Sequence, residues 1–153
     1  MTDDQAHGFD FLHGSWRVDH RVLRERLAGC TDWDAFSSTA ACTAILGGVG
    51  NLDQIELPHR STTGATLRLY DAAADHWTLH WTTSGSGRLD PPMTGRFTDG
   101  VGTFLGTDRH DGAPIDVRFV WDEVTASSAR WTQSFAPSGS GSWETNWVMV
   151  FSR

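Results

Sequence analysis

Ile115-Asp116-Val117-Arg118-Phe119-Val120-Trp121-Asp122, Arg130-Trp131-Thr132-Gln133-Ser134-Phe135 and Trp143-Glu144-Thr145-Asn146-Trp147-Val148-Met149-Val150-Phe151 decide the fold. Side chains on a strand alternate between two faces, so an apolar residue at every second position marks a half-buried strand. In the first run Ile115, Val117, Phe119 and Trp121 share a face, opposite Asp116, Arg118 and Asp122, and only Val120 breaks the pattern. Trp131, Gln133 and Phe135 share a face of the second, and Trp143, Thr145, Trp147, Met149 and Phe151 a face of the third. Short loops join the runs, which predicts an antiparallel meander whose apolar face the rest of the chain must cover.

The same pattern extends towards the N-terminus. Phe9-Asp10-Phe11-Leu12 predicts one helical turn, and residues 1–8 read as polar and flexible. From Gly14-Ser15-Trp16 a strand runs on with Trp16, Val18, His20 and Val22 on one face. Residues 24–32 form a charged connection. Strands are expected over 35–46, 51–57, 66–70 and 76–83, the last with Trp77, Leu79 and Trp81 opposite His76, Thr78 and His80. Residues 94–97 and 102–107 pair around Asp99-Gly100, and Asp111-Gly112 makes the next tight turn. About ten strands with sequential hairpins and no long helix predict an all-β, antiparallel up-and-down barrel. At 153 residues the chain is expected to form one domain, 1–153.

Composition excludes several functions. The net charge of -7 argues against nucleic acid and anionic membrane surfaces, both of which select basic proteins. No apolar run is long enough for a membrane span, and the first residues do not read as a secretory signal. A cytoplasmic location with reduced Cys30 and Cys42 is therefore expected. All 12 basic residues are Arg, so a lysine Schiff base and a P-loop are excluded. There is no Cys pair, His-Glu-x-x-His pattern or Gly-x-Ser-x-Gly elbow. His76 and His80 sit about 13 Å apart on a strand, too far to share one metal ion. No metal site is expected.

Gly14-Ser15-Trp16 after a short helical turn, with Arg153 just beyond the last strand, resembles the calycin superfamily of lipocalins and fatty-acid-binding proteins. In that superfamily the Trp closes one end of the barrel and a basic residue packs over it. Asn146-Trp147-Val148-Met149-Val150-Phe151 and Arg88-Leu89-Asp90-Pro91-Pro92 also resemble a group of uncharacterised bacterial lipocalin-like domains. The resemblance implies an intracellular-type calycin barrel and no settled activity.

The candidate site follows from strand parity. A barrel of this size encloses room for one small ligand, in a pocket that is mostly apolar with a few placed polar groups. Trp81, Trp121, Trp131 and Trp147 are the expected walls; His20, Gln133 and Thr145 are the expected inward polar groups. Asn51 and Asp53 share one face of their strand; inward, they contact ligand or orient His20, and outward they are solvated. Arg68 and Arg118 are expected outside, paired with acids such as Asp116; with inverted parity they become anion anchors inside. Three functions stay open. The first is a barrel that binds a small apolar or aromatic molecule. The second is a cyclase, isomerase or decarboxylase with His20, and Asp53 beside it, moving a proton. The third is a haem carrier, with His20 as the only inward ligand. Otherwise no cofactor is expected. Exposed Val120, Val148 and Val150 allow a homodimer.

Overall fold

The structure, a computed structural model, describes residues 4–153. Ten antiparallel strands form one closed barrel: β1 Gly14–Leu23, β2 Trp33–Ile45, β3 Gly50–Leu57, β4 Thr62–Asp71, β5 His76–Thr83, β6 Met93–Thr98, β7 Val101–His110, β8 Ala113–Asp122, β9 Ser128–Pro137 and β10 Glu144–Ser152. Each strand pairs with the next in sequence, and β1 closes the ring by pairing with β10 as well as β2. This is the predicted up-and-down order. Closure pairs every strand on both sides, so no sheet edge remains to recruit a second copy. Of the residues named for such a contact, Val150 is exposed, while Val120 and Val148 are half-buried.

Two short 3-10 turns, Gln5–His7 and Asp10–Leu12, precede β1 and plug one end. The expected flexible stretch includes residues 1–3, which lie outside the described residues. Gln5, from the same stretch, is buried. Its amide donates to the Phe97 carbonyl and accepts from the Phe97 N–H, at 2.6 and 2.8 Å. Phe9 enters the barrel among Trp77, Phe97 and Phe104, with ring centroids 4.9–5.5 Å away. Trp16 donates to the Leu12 carbonyl at 2.8 Å. The Arg153 guanidinium lies 3.8 Å from the Trp16 ring and donates to the carbonyls of Phe11, His13 and Ala126. Gly14 has φ of 112°, and a Cβ there would meet Arg153 Nη1 at 2.8 Å. The Gly-x-Trp pattern thus has a local cause: a left-handed backbone and no side chain beneath the cation.

Period-two burial holds along β1, β5 and β8, as the sequence predicts. Two strands depart from expectation. On β4, Gly64, Thr66 and Arg68 point inward and Leu67 and Leu69 outward, so the reading of Arg68 as an outer residue is corrected. Arg118 does lie outside, where it stacks on Trp143 at 4.5 Å. On β10 a bulge falls between Thr145 and Trp147: Thr145 pairs with Ser134, but Trp147 pairs with Gln133. The extra residue, Asn146, reverses the parity, because two residues there oppose one. Thr145 is consequently exposed rather than inward, and Trp147 faces the core.

Candidate functional site

Inside the barrel lies a cavity of about 260 Å³. Its upper end opens between the loops that carry Arg26, Arg60, Asp90, Pro91 and His110. The plug closes its lower end. Trp81, Trp121, Trp131 and Trp147 all line it, with Phe119 and Phe135 between them. Period-two alternation on β5, β8 and β9 puts those rings on one inner surface. On β10 the alternation of Trp147, Met149 and Phe151 beyond the bulge does the same for Trp147. Trp131 meets Trp147 edge-on at 5.7 Å and Phe119 at 5.0 Å. Trp81 lies across Gly64 of the neighbouring strand, where a Cβ would overlap the indole. The glycine lets the ring lie flat on the wall instead of projecting into the lumen.

The floor of the cavity is polar. Asp53 and Asn51 reach inward from β3, and Arg68 reaches inward from β4. Arg68 Nη1 pairs with Asp53 Oδ2 at 2.6 Å and donates to Asn51 Oδ1 at 2.9 Å. Asp53 Oδ1 also accepts the Thr66 backbone N–H at 3.2 Å. The guanidinium is 5.1 Å from the Phe9 ring and 6.0 Å from the Trp121 ring. Three buried N–H groups in this cluster have no protein acceptor: Arg68 Nε, Asn51 Nδ2 and Trp121 Nε1. A buried donor left unpaired costs about 1–3 kcal/mol, so this cluster is the least satisfied part of the interior; Asp53, Arg68 and Trp121 line the cavity, and Asn51 lies behind them.

Sequence reasoning placed Asn51 and Asp53 on a common face and left its direction open; the structure turns both inward. It missed Arg68 as the partner, because the neighbouring Leu67 and Leu69 carried the stronger alternation signal. Gln133 lines the cavity and donates to Asn146 Oδ1 at 2.7 Å. That bond ties the wall to the bulge.

His20 is buried between β2 and β10 and is not a cavity-lining residue. The Trp147 indole N–H, which can only donate, points at His20 Nδ1 at 3.1 Å. The proton of the neutral ring therefore sits on Nε2, which donates to Ser38 Oγ at 2.7 Å. The ring also stacks on Phe36 at 4.5 Å. Burial, aided by the charge of His59, pushes its pKa down to about 4. His20 thus orients Trp147 and is neutral at pH 7. Asp53 is not among its hydrogen-bond partners; it is committed to Arg68 and Thr66. As an axial haem ligand His20 does not fit, since either nitrogen would first have to surrender its bond. Among the described residues no group of three His, Cys, Asp or Glu side chains is arranged to hold a metal ion.

Burial pushes the Cys42 thiol up to about 11, which makes it an inert core residue. No helix among the described residues is long and apolar enough to cross a membrane. Compared with known proteins, the chain matches no family model, and no curated protein is significantly similar to it. The fold and the cavity therefore carry the functional argument: the molecule is a closed ten-stranded antiparallel barrel with an aromatic-rich interior.

Proposed function

We propose that this chain is a calycin-type barrel that binds one small, apolar or aromatic molecule in its Trp-lined cavity. The observation that carries the reading is the make-up of the cavity. Four indoles supply apolar walls, and Asp53, Thr66 and Arg68 give the floor a few placed polar groups. Ligand sites commonly combine those two features. The cavity lies just below the range of roughly 300–1,000 Å³ common for such sites, which suits one compact aromatic molecule. Its inner end would carry a carbonyl, hydroxyl or ether oxygen facing Arg68 and Trp121. Since Asp53 already neutralises Arg68, a neutral acceptor suits that floor better than a second buried carboxylate would. Arg153 over Trp16 at the plugged end supports the calycin comparison.

The proton-transfer reading would need His20 to meet the ligand, and its bonds to Ser38 and Trp147 lend that reading no support. Native mass spectrometry of the purified protein, compared with the denatured chain, tests the binding reading. A mass excess lost on denaturation is the expected result. Titration with N-phenylnaphthylamine, an uncharged aromatic probe whose fluorescence rises in apolar sites, is the second measurement. A clean apo mass together with no uptake of the probe would refute the proposal.

A further inference from the structure

The mouth of the cavity differs chemically from its floor. Arg26, from the β1–β2 connection, is half-buried, with its guanidinium 5.2 Å from the Phe135 ring and 6.0 Å from the Trp147 ring. Arg60, after β3, is exposed on the other side of the opening and lies 5.4 Å from the same Trp147 ring. One indole therefore sits beneath two cations. Burial and then the charge of Arg60 push the Arg26 pKa down to about 10; burial also lowers the Arg60 pKa, against the charge of Asp90. An aromatic face attracts a cation but offers no acceptor oxygen, so the N–H groups of both remain available.

Among the described residues neither guanidinium has a carboxylate within ion-pair distance, in contrast to Arg24, Arg68 and Arg130; Glu144 acts on Arg26 and Asp90 on Arg60 only from farther away. The acids that face the mouth are otherwise engaged or disfavoured. Glu144 accepts the Leu27 backbone N–H at 2.7 Å. Asp108 accepts the Arg109 N–H at 2.7 Å, while Arg109 itself donates to the Gly112 carbonyl. Burial, with the charge of Asp108 beside it, raises the pKa of Asp90 against the lowering charge of Arg60. On a chain of net charge -7, two neighbouring cations at the entrance to an apolar cavity, neither in a close ion pair, are a local exception. Like charges held together are stabilised by an anion between them, and guanidinium groups grip carboxylate and sulfonate oxygens in pairs.

We propose that Arg26 and Arg60 form an anion clamp over Trp147, so that the natural ligand is an amphipathic anion: an aromatic or apolar body in the cavity with a carboxylate, sulfonate or phosphate at the mouth. This deepens the binding reading above and rests on it. The ligand is oriented, with its neutral oxygen inward at Arg68 and its charge outward at the rim. Uncharged aromatics of the same shape fill the walls and leave the clamp unsatisfied.

Two probes with the same aromatic body separate the possibilities. N-phenylnaphthylamine is neutral, and anilinonaphthalene sulfonate adds one negative charge. Fluorescence titrations of the intact protein are expected to show the sulfonate binding about tenfold tighter, despite the negative net charge of the chain. That advantage should shrink in high salt, which screens the exposed Arg60. Arg26→Gln with Arg60→Gln is expected to remove the advantage of the sulfonate while the neutral probe is still taken up, which also reports that the variant is folded. If the neutral probe binds and the sulfonate binds no tighter, or if the double variant keeps the preference, the clamp is refuted while the cavity reading stands. If neither probe binds, both fall.

Discussion

Removing the charge of Asp53 should unfold the floor of the barrel more than any single truncation of a wall residue. Arg68 is 5 % exposed, and among the described residues its only carboxylate partner is Asp53 at 2.6 Å. A guanidinium cannot shed its proton, so in Asp53→Asn it remains charged, buried and uncompensated. Breaking a buried pair from one side costs about 3–5 kcal/mol. The Asn oxygen can still accept one N–H, from Arg68 or from Thr66, which puts Asp53→Asn near the lower figure. Asp53→Ala loses both acceptors and belongs near the upper one. At about 2–4 °C per kcal/mol for a chain of this size, Asp53→Asn should lower Tm by about 6–12 °C. Arg68→Met should cost less, because Asp53 is the more exposed partner and keeps the Thr66 N–H as a donor. The double variant Asp53→Asn, Arg68→Met removes both charges and should lie within about 1 kcal/mol of Arg68→Met alone. Urea denaturation at pH 7, followed by the fluorescence of the eight Trp residues, supplies all four free energies. A cost below about 1 kcal/mol for Asp53→Asn would refute the reasoning. So would a double variant that simply adds the two single losses.

Three further outcomes follow from the same geometry. His20 has its pKa lowered from 6.5 to about 4, so the unfolded chain takes up a proton where the native chain does not. Stability is therefore full above pH 6.5 and falls as pH drops towards 4, by about 2–3 kcal/mol from this residue. Urea midpoints across that window should fall less steeply in His20→Phe than in the parent, and equal slopes would contradict the assignment. Arg153→Ala loses three hydrogen bonds and the contact over Trp16, for about 2–3 kcal/mol at about 1 kcal/mol per bond; near-UV circular dichroism should register the released indole. Gly64→Ala forces Trp81 off the wall and into the lumen, so N-phenylnaphthylamine should bind about tenfold more weakly with the barrel still folded; unchanged affinity would mean that Trp81 does not shape the cavity.

How much of the site was legible depended on the reach of each signal. Alternation over 115–122, 130–135 and 147–151 names the inward indoles because the period-two rule is local to a strand. Gly14-Ser15-Trp16 and Arg153 were legible as a pair only through a resemblance. Their contact joins the first strand to the last residue, and no local pattern states it. Asn146 carries no bulge signature, yet it decides that Thr145 leaves the core.

The sequence by itself determined the strand count, the meander order and the aromatic character of the interior. Each follows from nearest-neighbour alternation and turn residues. Only the tertiary structure decided that Arg68 turns inward against the leucines beside it. Burying a guanidinium is favourable only with Asp53 and Asn51 in reach, and both come from the adjacent strand. The tertiary structure likewise gathered Arg26 and Arg60 over Trp147 from three separate segments. A side chain's preference for water or core can be read from the residue alone. The partner that overrides it cannot, because closure of the barrel brings that partner from elsewhere in the chain.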